Sequence, residues 1–217
     1  MELLKHTLFI NLDSRTDRLD HVSKELAKLN INGERVSAIK MELGAIGCTM
    51  SQIKCLQLAK ERNYEQVFIC EDDITFTQPQ VFMESLNKFY DNKNIKWDVL
   101  IVGGNNLPPY QQIGDYCIRT FNCQTTTGYI VQKHMYDTFI QNFKESSELL
   151  LRTRNTKQYS LDIYWKRLQC GYFWYMIIPP TVIQREDYSD IEGKQVKYDW
   201  LMLDINKEWF VKQRLSM

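Results

Sequence analysis

Short apolar runs alternate along the chain with longer amphipathic stretches, and the alternation predicts strands each followed by a helix. Residues 6–12, HTLFINL, are rich in β-formers and break into the polar stretch Asp13-Ser14-Arg15-Thr16-Asp17-Arg18. Leu19, Val22, Leu26 and Leu29 then recur at spacings of three and four, which predicts a helix over 15–29 capped by Asp13 or Ser14. Asn32-Gly33 marks a turn into a second short strand at 34–39. Gly44 and Gly47 predict a further break, with the next helix starting at Thr49 or Ser51 and running to about Arg62. Residues 66–70, QVFIC, are too short for a helix, read as a strand, and end abruptly in Glu71-Asp72-Asp73. Pro79 opens a helix over 80–90, because the first turn of a helix leaves its amide protons unpaired and proline has none to lose. Residues 97–102, WDVLIV, form the next strand, closed by Gly103-Gly104-Asn105-Asn106. These strands lack a polar alternate position, as strands covered on both faces must, so the pattern predicts an α/β fold on a largely parallel sheet.

The second half is less regular. Strands are predicted at 116–121, 128–131 and 173–178, the last stopped by Pro179-Pro180, with helices at 133–143 and 160–168. Residues 145–159 are polar and charged and read as a surface segment or helix, and the tail after Val182 is first acidic, then aromatic. No repeat, low-complexity tract or linker interrupts the chain, and 217 residues suit a single domain.

Charge removes one class of partner. Lys+Arg and Asp+Glu both number 27, so there is no basic field for nucleic acid, and any anionic ligand must be held by a local cluster. The apolar run at 7–12 is too short for a secretory segment and no stretch approaches the ~20 apolar residues of a membrane span, which predicts a cytoplasmic protein without signal peptide or membrane helix. The six cysteines form no CxxC pair; Cys70 and Cys170, in apolar segments, read as buried thiols of a reducing compartment. His6, His21 and His134 lie on separate elements, which leaves no HExxH zinc site and no Ser-His-Asp triad.

Three constellations carry possible chemistry. Glu71, Asp72 and Asp73 follow a buried strand, where an open α/β sheet places its ligand crevice, and adjacent carboxylates there suit a hard cation such as Mn²⁺ or Mg²⁺. Otherwise they form a solvated turn. Arg15 and Arg18, three apart near a helix N-terminus, can hold a diphosphate, or can pair with Asp13, Asp17 or Asp20. The glycines of Gly44-Ala45-Ile46-Gly47-Cys48 allow backbone amides to approach an anion, although they match neither a dinucleotide nor a Walker loop. The cluster Tyr172-Phe173-Trp174-Tyr175 offers stacking faces for a sugar, and equally core.

In order along the chain, INLDSRTDR at 10–18, RVSAI at 35–39, GAIGCTMSQ at 44–52 and VFICEDDITF at 67–76 resemble glycosyltransferase family 25, the lipooligosaccharide and procollagen galactosyltransferases. KWDVLIVGG at 96–104, TTGYIVQKHMYDTFI at 126–140 and IIPPTVIQREDYSDIEG at 177–193 are similar to its later blocks. Gln52 stands where that family usually has His. The resemblance implies a GT-A-like nucleotide-sugar-binding sandwich and inverting, metal-dependent transfer of a hexose, galactose before glucose, from a UDP-sugar. The acceptor would be a hydroxyl of a glycan or of hydroxylysine in a collagen-like protein. It further implies that Glu71 and Asp73, with Gln184, hold the metal. Asn11, Leu12, Arg15, Arg18, Ala38, Ile39, Gly47, Ser51 and Asp72 would meet the donor. The base that deprotonates the acceptor is expected to be Asp162, among aromatic and apolar neighbours, with Asp187 and Asp190 as rivals. A metal-dependent phosphohydrolase, or a degenerate transferase that only binds, are the competing classes.

Overall fold

A computed structural model describes residues 2–191 and 193–215, the last three by their backbone only. Eight strands form one sheet, in the order β2-β1-β3-β8-β5-β9-β7-β6. They are β1 (Thr7–Asn11), β2 (Gly33–Ser37), β3 (Gln66–Glu71), β5 (Val99–Asn106), β6 (Tyr110–Gln112), β7 (Cys117–Thr120), β8 (Cys123–Gln132) and β9 (Trp174–Ile177). Pairing is parallel at β1/β2, β1/β3 and β5/β9 and antiparallel at the other four junctions. Only β7 and β8 therefore run against the other six strands, so the sheet is mixed with one dominant direction, in keeping with the predicted largely parallel sheet. Two ribbons stand beside it: β4 (Ile74–Phe76) with β10 (Val182–Gln184), and β11 (Asp187–Ser189) with β12 (Lys194–Val196).

Alternate side chains of each central strand enter different cores, which explains the absence of a polar alternate position. Leu8, Ile10, Val67, Ile69, Val99 and Ile101 face a layer of α2 (Gly44–Glu61) and α4 (Tyr136–Thr153). Phe9, Phe68, Cys70, Leu100 and Val102 face α1 (Thr16–Ala27) and α3 (Pro79–Asp91) on the other side. The chain is thus a three-layer α/β/α sandwich. Among the described residues no helix is long and apolar enough to cross a membrane. All six cysteines are free; Cys70 is buried as expected, whereas Cys170 is exposed because it follows the short α7 (Lys166–Gln169) at the molecular surface.

Several boundaries move for physical reasons. Neither Asp13 nor Ser14 caps α1: Arg15 takes the cap position, and the Asp13 carboxylate instead receives Arg35 and the Ser37 hydroxyl across the β1/β2 edge. The helix expected at Thr49 begins at Gly44, and Gly47 lies inside it. A Cβ on Gly47 would overlap the Ile39 carbonyl oxygen, so this glycine permits close approach of α2 to the chain leaving β2 rather than a turn. Strand β5 runs on through Gly103-Gly104, with register shifts on both sides of Gly103. There a Cβ on Gly103 would meet Val182 Cγ1 at 2.8 Å, so Gly103 allows the β10 ribbon to lie close, while a Cβ on Gly104 would meet Cys123 Sγ. The polar segment 145–159 continues α4 to Thr153 and then forms α5 (Thr156–Tyr159), followed by α6 (Leu161–Tyr164).

Candidate functional site

The C-terminal ends of β1, β2, β3 and β5 share one edge of the sheet, and the antiparallel β8 starts there. A cleft of about 710 Å³ opens along this edge. Its lining includes Leu12, Arg15, Arg18, Ala38, Ile39, Ser51, Glu71, Asp72, Asp73, Asp162, Gln184 and Asp190, twelve residues expected from sequence as site residues. Three other expected residues do not line it: Asn11, Gly47 and Asp187.

Each of these three acts behind the surface. Asn11, 1% exposed, donates from Nδ2 to Asp72 Oδ2 at 2.7 Å and accepts from Arg35 Nε at Oδ1, which ties the acidic turn to β1. Gly47 serves the packing of α2 on Ile39. Ser51, although in the wall, accepts the Ile39 amide at 2.8 Å and donates to the Gly47 carbonyl at 2.7 Å, so its hydroxyl shapes the loop carrying Ala38 and Ile39.

Asp187 sits under three guanidinium groups, at 2.8 Å from Arg15, 3.2 Å from Arg18 and 3.3 Å from Arg185. Burial alone would raise its carboxyl pKa, but the Tyr188 amide and the charges of Arg18 and Arg185 outweigh it and hold the group below its ordinary value. A carboxylate held in that way is a poor proton acceptor, which counts against Asp187 as the base and makes it the anchor of the arginines. Its neighbour Asp190 receives Arg15 NH1 at 2.6 Å. The partners of Arg15 and Arg18 thus come mainly from β11 and from Asp72 and Asp73; only Asp17 among the three nearby acids takes part.

The acidic turn divides its work. Asp72 is turned to Asn11 and to Arg18, 3.0 Å away. Glu71 Oε1 accepts the Thr126 hydroxyl at 2.7 Å and Oε2 accepts Gln184 Nε2 at 3.2 Å, so the strand end, β8 and the β10 ribbon meet at this carboxylate. Asp73 Oδ2 accepts from Arg18 at 3.1 Å, while its buried Oδ1 has no partner among the described residues. Burial, and for Glu71 the charge of Asp73, push both carboxyl groups above their ordinary values; Arg18 works in the opposite direction on Asp73. Among the described residues no group of three or more His, Cys, Asp or Glu side chains is gathered for a metal ion. The set expected from sequence is two acids and one amide. An orphaned carboxylate oxygen beside a second acid and an amide is a hard-oxygen donor set that fits Mn²⁺ or Mg²⁺.

Asp162, in α6, faces the same cleft. Its Oδ2 accepts the Thr125 amide at 3.0 Å, a partner outside its own helix. Burial raises its carboxyl pKa, against the opposing influence of the Thr125 bond and the Lys166 charge. Thr125 holds φ at 79°, a left-handed conformation that is unfavourable for a β-branched residue. The short segment from Gln124 to Thr126 therefore links Lys166, Asp162 and Glu71. Sequence reading missed this segment; the signal was a Thr-Thr-Thr run before a predicted strand, which has no periodicity to interpret. It also missed Lys40, Asn105 and Lys157 in the wall. The aromatic cluster proves to be mainly core, with Trp174 and Tyr175 buried and Phe173 exposed. Gln52 is buried and accepts the Tyr129 hydroxyl at 2.8 Å.

A sandwich of this topology with an acidic turn at the strand ends is the GT-A-like arrangement of a glycosyltransferase. A crystal structure of a glycosyltransferase involved in the glycosylation of the major capsid of PBCV-1 superposes with a TM-score of 0.51 at 12% identity, over 92% of this chain and 88% of that one. The glycosyltransferase GlyE of Streptococcus pneumoniae TIGR4 gives a TM-score of 0.51 at 8% identity, over 96% of this chain and 64% of that one. At such identities the likeness speaks for the fold alone. No curated protein matches the sequence. The model of glycosyltransferase family 25 (LPS biosynthesis protein) matches residues 40–152, more than half of the chain, and the protein belongs to that family.

Proposed function

We propose that the protein is an inverting, metal-dependent hexosyltransferase that takes a UDP-sugar, galactose before glucose, and passes the hexose to a hydroxyl of a glycan. Hydroxylysine of a collagen-like chain is the second acceptor of this reading. The observation that carries it is the buried Asp73 Oδ1, without a partner among the described residues, close to Glu71 and Gln184 at the strand ends of a cleft large enough for a nucleotide sugar. Glu71, Asp73 and the Gln184 amide oxygen would hold Mn²⁺ or Mg²⁺. Bound there, the ion supplies positive charge against the leaving diphosphate.

The chain's own residues do the rest. Leu12, Ala38 and Ile39 offer an apolar wall to the base and ribose. Arg15 and Arg18 bring guanidinium charge to the phosphate side, where Asp187 and Asp190 now occupy them. Asp162 accepts the proton of the acceptor hydroxyl as that oxygen attacks the anomeric carbon from the face opposite the nucleotide; the bond to the diphosphate oxygen breaks and UDP leaves. Asp162 suits this role because its ties are backbone amides and one lysine charge, not three guanidinium groups.

Calorimetric titration of UDP with and without Mn²⁺, against GDP and ADP controls, tests the reading. Micromolar binding of UDP that requires metal is expected, and Asp73→Asn should abolish the metal-dependent part. Unchanged affinity of Asp73→Asn with Mn²⁺ present would remove the metal assignment; no UDP binding at all would turn the function toward a partner-binding protein of the same fold.

A further inference from the structure

Asn105 is an anomaly in the cleft wall. It is 7% exposed and lines the cavity, yet its side-chain Oδ1 is buried without a hydrogen-bond partner among the described residues. Buried carbonyl oxygens are almost always paired, because water is lost and nothing replaces it. Asn106 differs: its Oδ1 accepts the Thr120 hydroxyl, and although its buried Nδ2 also has no partner among the described residues, it does not line the cavity. Neighbouring side chains in this wall are occupied by the protein, Gln124 Oε1 with Lys166 at 2.6 Å and the Thr126 hydroxyl with Glu71.

The backbone also departs from regularity here. Strand β5 shifts register between Gly103 and Asn105, and such irregularities re-aim side chains next to ligand sites. Asn105 pairs with Gln124, immediately before Thr125, whose amide holds Asp162. It therefore sits at the reacting end of the cleft, near the candidate base and Glu71.

We propose that the Asn105 side-chain carbonyl accepts a hydrogen bond from a hydroxyl of the sugar bound in the cleft, and that it is a specificity-determining residue for the transfer. The inference rests on the transferase reading above. A hydroxyl is the chemistry that suits the site: it donates to an oxygen that has no partner among the described residues, and it is neutral beside an already acidic turn. Hexose epimers differ only in where one hydroxyl points, so a fixed, desolvated acceptor is sufficient to tell them apart. A site built around such a bond also rejects analogues that lack the hydroxyl, because its own carbonyl is then left unpaired.

The test compares the wild type with Asn105→Ala and Asn105→Leu. Release of UDP from UDP-galactose and UDP-glucose is measured with water as acceptor, then with added free hexoses, alongside thermal unfolding and UDP affinity in Mn²⁺. Asn105→Leu should unfold at the same temperature or higher, since an unpaired buried acceptor is gone, and should bind UDP as the wild type does. Its kcat/KM for the preferred sugar should fall roughly 10- to 100-fold, and its preference between the epimers should shrink. Deoxygenated donors should cost the wild type the same factor and the variant nothing further. A loss already seen with water assigns the hydroxyl to the donor sugar; a loss seen only with an added hexose assigns it to the acceptor. Variants that retain both kcat/KM and epimer preference overturn the inference while metal-dependent UDP binding leaves the transferase reading standing. A wild type that neither binds UDP nor cleaves either donor overturns both.

Discussion

At Asp162 burial competes with backbone hydrogen bonds and a lysine charge, and burial prevails. Its carboxyl pKa lies above the ordinary 3.8 despite the Thr125 amide bond. A general base works deprotonated, so kcat should fall as pH drops through that raised value and level off above it. Asp162→Asn removes the proposed base but keeps a group that can accept the Thr125 amide. It should leave UDP binding intact and lower turnover by about 100-fold or more, with the acid limb of the pH–rate profile gone. A near-normal rate would move the proton to another group. Asp187 illustrates what the sequence hides at this scale. It is one acid among several in the acidic tail, and only its three guanidinium neighbours distinguish it from Asp162. Two of those arginines lie more than 160 positions away in the chain.

Elements set these residues at working distance. Helix α2 comes close to the loop after β2 because Gly47 has no Cβ, and the loop is then pinned by Ser51 at the Ile39 amide. Gly47→Ala should therefore cost about 1–3 kcal/mol, as overpacked sites do, and weaken UDP binding by displacing Ala38 and Ile39. Denaturant unfolding and calorimetry would measure the two effects; a variant as stable as the wild type would disprove the close-approach role. The sequence marked both glycines of this region yet suggested a turn, because a glycine needed for packing and one needed for dihedral freedom look alike in one dimension. The same ambiguity hid the continuation of β5 through Gly103-Gly104. The β11/β12 hairpin reached no periodicity threshold at all. With strands of three residues each, its position depends on Arg15 and Arg18 holding Asp187 and Asp190 rather than on an apolar face.

Across the whole molecule, the sandwich places its acids and arginines at one edge of the sheet, where ligand binding should stabilise the fold. Mn²⁺ with UDP at 100 times its dissociation constant contributes about 2.7 kcal/mol to a native state that alone binds it. For a domain of this size, at roughly 2–4 °C per kcal/mol, the unfolding temperature should rise by about 5–11 °C. Scanning calorimetry with UDP alone, Mn²⁺ alone and both would show the largest rise for the pair; equal curves would mean that the cleft does not bind them.

The sequence by itself determined the α/β class, the apolar strands, the amphipathic helices and the acidic turn at the end of β3, because these follow from periodicity and from residue types in local order. It also determined the family, through seven motifs in one order. Only the tertiary structure decided which carboxylates are free and which are spent. That outcome depends on distances between β3, β8, β10 and β11, elements far apart in the chain. It placed Asp162 on the Thr125 amide, gave Asp187 to three arginines, and left Asp73 Oδ1 and Asn105 Oδ1, on two residues of one cleft wall, without partners among the described residues. Local patterns report what a segment buries; the partner of a polar atom is settled only when the segments meet.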